Sequence, residues 1–204
     1  MMEPASRGVL GPRMRGDDSG NRSSGCIWFA RTRFPIDMAA DSVGVMIARP
    51  ADPSESNVLT RLWYDGWQDG HAAVVPAALA RARTFEDFSE RMSAALADVR
   101  VIGPHGAPRG FAMLKGDELY QFYVASEARG TDVAAALMAD AEAQLSARGV
   151  ATAWLACAVG NARAAKFYQK RGWHLARTMI SRLDTVDGPF DLEIWRYEKH
   201  LAPR

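Results

Sequence analysis

Between an apolar, strand-like run that ends near Ala125 and an Ala-rich helical run that begins near Thr131 stand Arg129, Gly130, Thr131, Asp132, Val133 and Ala134. A turn at the C-terminal end of a strand presents free backbone N–H groups at the positive end of the next helix, and such a turn binds phosphate. By itself the corner also fits a plain helix start, capped by the Thr131 hydroxyl or the Asp132 carboxylate. Cys157 has the chemistry of a nucleophile, but it lies in Trp154-Leu155-Ala156-Cys157-Ala158 with no charged neighbour to lower its pKa, and reads as packing. His71 and His105 have no partners at metal-ligand spacing. The two cysteines, Cys26 and Cys157, are too far apart in sequence and context to build a thiolate site, so no metal is expected.

The elements that must position these residues follow from periodicity. Val45 to Ala48 reads as a buried strand and Arg49-Pro50-Ala51-Asp52-Pro53 as its exit into a helix. Residues 54 to 70 carry Val58, Leu59, Leu62, Trp63 and Trp67 at helical spacing, and residues 84 to 97 carry Phe85, Phe88, Met92 and Leu96 on one helical face. Three extended runs follow, Val99–Ile102, Gly110–Leu114 and Leu119–Ala125, the last two joined by the turn Lys115-Gly116-Asp117. Residues 131 to 147 place Val133, Leu137, Met138, Ala141 and Leu145 on one stripe and end at Gly149. A strand at Ala153–Val159, a short helix at Ala162–Arg171 and two strands near 174–184 and 189–198 complete a mixed α/β order without repeats.

Composition narrows the function classes. The chain has 204 residues, enough for one well-buried domain, expected over 43–204. Residues 1–42 are rich in Gly, Ser, Arg and Pro with little periodicity, and are expected to be a disordered extension. Twenty-five Lys and Arg against 24 Asp and Glu give a net charge of +1, which offers no footprint for nucleic acid or a membrane surface. The apolar run Cys26–Ala30 is too short for a signal segment or a membrane span, so a cytoplasmic protein acting on a small molecule is expected. Phe190, Trp195 and Tyr197 alternate as a strand should, and exposed aromatic edges there would suit a homodimer.

Two segments carry a resemblance. Arg129-Gly130-Thr131-Asp132-Val133-Ala134 is similar to the pyrophosphate loop Q/R-x-x-G-x-G/A of the GNAT superfamily of N-acetyltransferases, with Asp132 where the family usually has Gly. Asn161-x-x-Ala164-x-x-Phe167-Tyr168, closing with Arg171-Gly172-Trp173, matches the family's second segment position by position. The similarity spans roughly residues 45 to 200. It implies an α/β fold with a mixed, mostly antiparallel sheet of about seven strands and about four helices on both faces. It also implies acetyl-CoA as co-substrate, no metal, and direct attack by a primary amine of a small molecule or protein.

The resemblance further assigns roles. The position of Asn161 holds the pantetheine arm, with Ala164 and Phe167 beside it, and that of Tyr168 donates a proton to the departing thiolate; a packed aromatic is the alternative. Glu118 aligns with the carboxylate that some members use as a base in E-x-x-x-x-x-V, here Glu118 to Val124, although it could equally be a solvated turn residue. Such a base matters because an alkyl ammonium of pKa about 10.4 is almost wholly protonated at pH 7. Phe122, Tyr123 and Val124 would act through their backbone, a splayed or bulged strand pairing with the pantetheine amides. Trp63, Trp67 and His71 fall where the family commonly builds the acceptor pocket, with core packing as the alternative. A catalytically weak GNAT-fold acyl-CoA sensor and an unrelated α/β interaction domain remain open at this point.

Overall fold

A computed structural model describes residues 46–202 of the chain. Strand β1 is only Arg49–Pro50, and its partner sets that brevity. Arg49 faces Val101 and Pro50 faces Arg100 of β2, Val99–Ile102. Immediately beyond Ile102 the chain turns at Gly103, whose φ is +116°. Met46 and Ile47 therefore have nothing to pair with, and Ile47 is 72% exposed. The strand expected over Val45–Ala48 is thus displaced toward Arg49–Pro50, with Val45 and the expected disordered extension 1–42 outside the described residues.

A buried carboxylate joins β1 to the first helix. Asp52 and Glu55 form a capping box around a short 3₁₀ turn, Pro53–Glu55. Glu55 then accepts Arg49 Nη1 and Nη2 at 2.6 and 2.8 Å and the Gly106 amide at 2.9 Å. These donors, Arg49 above all, hold its pKa down at about 2 despite burial. Helix α1, Ser56–His71, buries Leu59, Trp63 and Trp67, each one turn from the next, as its spacing predicts. A short helix α2, Ala77–Ala82, precedes α3, Phe85–Ala95, whose Thr84 cap accepts the Asp87 amide. The sequence pattern did not separate α2 from the loop, so among the described residues five helices stand where about four were expected.

The sheet runs β1-β2-β3-β4-β5-β7-β6, with β3 Gly110–Lys115, β4 Glu118–Val124, β5 Thr152–Ala158, β6 His174–Thr185 and β7 Gly188–His200. Every pairing is antiparallel except that of β4 with β5. Between α4, Val133–Ala147, and α5, Ala162–Lys170, the chain crosses the sheet on β5. Helices cover both faces: α1, α2 and α3 pack on Val99, Val101, Phe111 and Met113, while α4 and α5 pack on Ile102, Ala112, Leu114 and Leu155. The alternation of neighbouring β3 residues between these cores is the period-two pattern of a sheet buried on both sides. All five predicted stripe residues of α4 are buried, the four larger ones, Val133, Leu137, Met138 and Leu145, each contributing about 1.5–3 kcal/mol.

Phe190, Trp195 and Tyr197 do not form an exposed aromatic edge. Tyr197 is buried and the other two are half-buried, leaving Leu175, Ile180 and Val186 as the exposed large apolar residues of the last two strands and their turn. Among the described residues no helix is long and apolar enough to cross a membrane.

Candidate active site

Two irregularities of β4 create the site. Met113 pairs with Gln121 but Leu114 pairs with Leu119, so Tyr120 is the extra residue of a β-bulge. The extra residue reverses the alternation that follows: Phe122 and Val124 pack with α4 and α5, while Tyr123 packs with α1. The second irregularity is that β4 and β5 share one register pair, Glu118 with Trp154, and then diverge. That joint is pinned by Trp154 Nε1 donating to Asp117 Oδ1 at 3.0 Å and by Arg196 stacked 4.2 Å from the Trp154 ring. Beyond it the edge of β4 facing β5 has no strand partner.

The opening leads into a cavity of about 430 Å³ that reaches both faces of the sheet. On one side it is lined by Arg129, Gly130, Ala134, Asn161, Ala164, Phe167 and Tyr168, on the other by Trp63, Trp67 and His71, with Glu118, Phe122, Tyr123 and Val124 of β4 between them. Fourteen of the seventeen residues singled out from sequence thus meet around one cavity, drawn from α1, β4, the β4–α4 corner and α5. Thr131, Asp132 and Val133 do not line it. Val133 is buried in the core, and Thr131 turns its hydroxyl inward to the Ala128 carbonyl at 2.6 Å.

The corner keeps its donors free. Gly130 takes the left-handed conformation, φ +78°, while Asp132 has φ −75° and ψ −4° with no side-chain cap. Thr131 Oγ1 accepts the Val133 amide at 3.4 Å, but the amides of Gly130, Asp132, Ala134 and Ala135 have no partner among the described residues. Asp132 caps nothing, and the Thr131 hydroxyl takes only the Val133 amide, which leaves the corner open. Asp69 of α1 stands across it, 2.9 Å from Arg129 Nη1 and also bonded to Arg163 of α5. On α5, Asn161 Oδ1 accepts the Ala164 amide at 3.1 Å, which satisfies the helix start and leaves its NH₂ as a donor. Gly66 lets α1 approach β4: a Cβ there would lie 2.7 Å from Tyr123 Cδ1.

Electrostatics separate the titratable groups. Burial pushes the Glu118 carboxyl up to about 7, against the pull of Lys115. Burial raises the Tyr168 phenol far above its ordinary value, and the nearby Cys157 and Tyr123 add to this, so Tyr168 is a phenol throughout the physiological range. Burial likewise raises Cys157 to about 11, which agrees with a packing role. His71 is stacked on Trp67, centroids 5.5 Å apart at 9°, with Nδ1 3.3 Å from the Trp67 carbonyl. Burial keeps its pKa below the usual range, so the ring is neutral at pH 7; the carbonyl fixes the proton on Nδ1 and leaves Nε2 a lone-pair acceptor.

Sequence reasoning missed Arg83, Arg91 and Arg163, as well as Ser181, Leu183 and Leu192 of the β6–β7 hairpin, all of which line the cavity. No motif marks them. Arg83 donates to the Asp184 carbonyl at 2.9 Å, a contact across about half the chain that only the fold reveals.

Comparison with known proteins places this architecture. Residues 57–173, more than half of the chain, match the model of the acetyltransferase (GNAT) family. Among solved structures, a GCN5-related N-acetyltransferase (aminotransferase, class II) from Rhodopseudomonas palustris superposes with a TM-score of 0.60 at 23% identity, covering 76% of this chain and 96% of that one. The PaiA N-acetyltransferase from Thermoplasma acidophilum, in complex with coenzyme A, gives 0.58 at 16% identity, covering 76% and 98%. The yncA protein from Salmonella typhimurium, with its cofactor acetyl-CoA, gives 0.56 at 15% identity, covering 78% and 95%. These identities speak for the fold; among curated proteins none matches the sequence significantly. With its family-model match, its split seven-stranded sheet and its open strand-to-helix corner, the chain belongs to the GNAT family of acetyltransferases.

Proposed function

We propose that the protein moves an acetyl group from acetyl-CoA to a primary amine by direct attack, without an acyl-enzyme. The observation that carries this reading is the open β4–α4 corner, where Gly130 and Ala134 line the head of one continuous cavity and the amides of Gly130, Asp132, Ala134 and Ala135 have no partner among the described residues. A diphosphate is the ligand such a corner suits, and Arg129 can exchange Asp69 for it. The unpaired edge of β4 at Phe122–Val124 offers amides and carbonyls to the two amide groups of a pantetheine arm as a neighbouring strand would. Asn161 adds an NH₂ donor on the facing side, and Ala164 and Phe167 line the channel.

The reaction then needs two proton movements, and the cavity holds a group suited to each. Glu118, with a pKa of about 7, takes the proton that makes the incoming ammonium a nucleophile. The amine nitrogen bonds to the thioester carbonyl carbon and the C–S bond breaks. Tyr168, kept as a phenol by burial, gives its proton to the thiolate and recovers one from the amide-forming nitrogen. One proton is released for each ammonium acetylated. Cys157 has no part in this, since its raised pKa leaves little thiolate at pH 7. Trp63, Trp67 and His71 form the wall on the acceptor side. The test is release of free CoA thiol against a panel of amines, including polyamines, aminoglycosides, amino acids and peptide N-termini. Turnover with at least one class supports the reading, and thiol release independent of any amine contradicts it.

A further inference from the structure

The acceptor side of the cavity holds positive charge that acetyl transfer leaves unused. Arg83, 4% exposed, binds Asp87 Oδ2 and Oδ1 at 3.0 and 3.2 Å. Arg91, two turns further along, reaches the same Oδ2 at 3.5 Å and donates to the Tyr120 hydroxyl at 2.9 Å. Its guanidinium stands 4.7 Å from the Trp63 ring centre. Two cations thus share one carboxylate, and the cluster keeps a charge of +1. Burial, and after it the charge of Arg91, lower the Arg83 pKa against the pull of Asp87. The other N–H donors of Arg91 have no partner among the described residues, although the guanidinium carries five.

Both arginines line the cavity, whose sole acidic lining residue among those described is Glu118. The cluster is not a second grip on the CoA diphosphate. Tyr120, to which Arg91 is bonded, lies four residues, roughly 13 Å of extended strand, before the end of β4, and the corner that Arg129 and Arg163 flank lies beyond that end. It packs on the opposite face of the sheet, with α1 and α3.

We propose that the acceptor is an amine that also bears a carboxylate, an apolar amino acid, anchored by Arg91 with Arg83 and Asp87 holding that guanidinium in place. This rests on the acetyl-transfer reading above and adds the substrate class. A carboxylate on Arg91 completes the charge balance, Glu118 two residues upstream of Tyr120 receives the ammonium, and Leu79, Leu183 and Leu192 provide an apolar wall for the side chain. Arginine presents the planar fork that a carboxylate matches.

The test compares thiol release for leucine, phenylalanine and methionine with release for their carboxamides, expressed per free amine. The wild type is expected to favour each acid over its amide by roughly 10- to 100-fold in kcat/KM. Arg91→Met is expected to cut that ratio at least about tenfold, with Arg91→Lys recovering part of it. Calorimetry with CoA, unchanged within about twofold in Arg91→Met, reports that the variant is folded. A wild type that acetylates amides as well as acids overturns the proposal, as does an Arg91→Met variant that keeps the wild-type ratio. Turnover confined to cationic or neutral amines removes this inference and leaves acetyl transfer standing, whereas no turnover with any amine removes both.

Discussion

Replacing Glu118 with glutamine tests the proton-removal step most severely. Glu118 sits where β4 and β5 part, its carboxyl raised to about 7 by burial. A base of that pKa stands about three units below an alkyl ammonium, so it can hold the proton at neutral pH without being so weak that transfer stalls. The wild-type kcat/KM should rise with pH and bend near 7, where the carboxyl ionises. Glutamine keeps the shape of the side chain and removes the basicity, and loss of a general base costs about 10²- to 10⁴-fold. Glu118→Gln should therefore lower kcat/KM at least 100-fold near pH 7.5, and its residual rate should climb about tenfold per pH unit without the bend, as the free-amine fraction alone rises. A thiol-release assay between pH 6 and 9 reads both effects. A variant within threefold of wild type, or one that keeps the bend, would refute Glu118 as the base and shift attention to neutral His71.

Other perturbations have readouts of their own. Tyr168→Phe should slow kcat by about 5- to 30-fold, a loss of roughly 1–2 kcal/mol, while the CoA dissociation constant moves less than twofold; an unchanged kcat would remove Tyr168 as proton donor. Gly66→Ala brings a Cβ to 2.7 Å from Tyr123 Cδ1, so α1 or the ring must move; a lower melting temperature and a raised KM for the amine follow, and an unaltered pair of values would contradict the close approach. Stability should depend on pH with opposite signs at two carboxylates, buried Glu55 and half-buried Glu118. Glu55, depressed from 4.5 to about 2, gives stability that is present above pH 4.5 and lost on acidification toward 2. Glu118, raised from 4.5 to about 7, makes the folded state bind more protons in that interval, so stability falls as pH rises through it. Melting curves of Glu55→Gln and Glu118→Gln should each lose one of these slopes.

Much of this site was legible because its parts are local. A strand, a glycine-bearing corner and a helix are consecutive in sequence, so Arg129 to Ala134 and the Asn161 to Tyr168 segment could be read with their elements attached. The stripe on α4 and the α1 stripe of Leu59, Trp63 and Trp67 were equally visible, since helical spacing reports burial directly. What escaped was non-local or short. The six-residue helix α2 is too brief for periodicity to register, and β1 is placed by the length of β2 and the turn at Gly103. Nothing in the sequence marks Arg83 and Arg91, yet the fold brings both beside Asp87 and sets Arg83 against the Asp184 carbonyl of β6. The role of Asp132 was also undecidable from its identity, because whether a carboxylate closes the corner depends on a side-chain direction that spacing does not encode. In the structure it caps nothing.

Calorimetric titration with CoA and with pantetheine, which lacks the diphosphate, tests the founding claim directly. The free amides of Gly130, Asp132, Ala134 and Ala135 predict clear heat for CoA and at least about a hundredfold weaker binding for pantetheine, since charge-assisted bonds from several amides and Arg129 are absent. Equal binding of the two, or no heat with CoA, would contradict a corner built for a diphosphate.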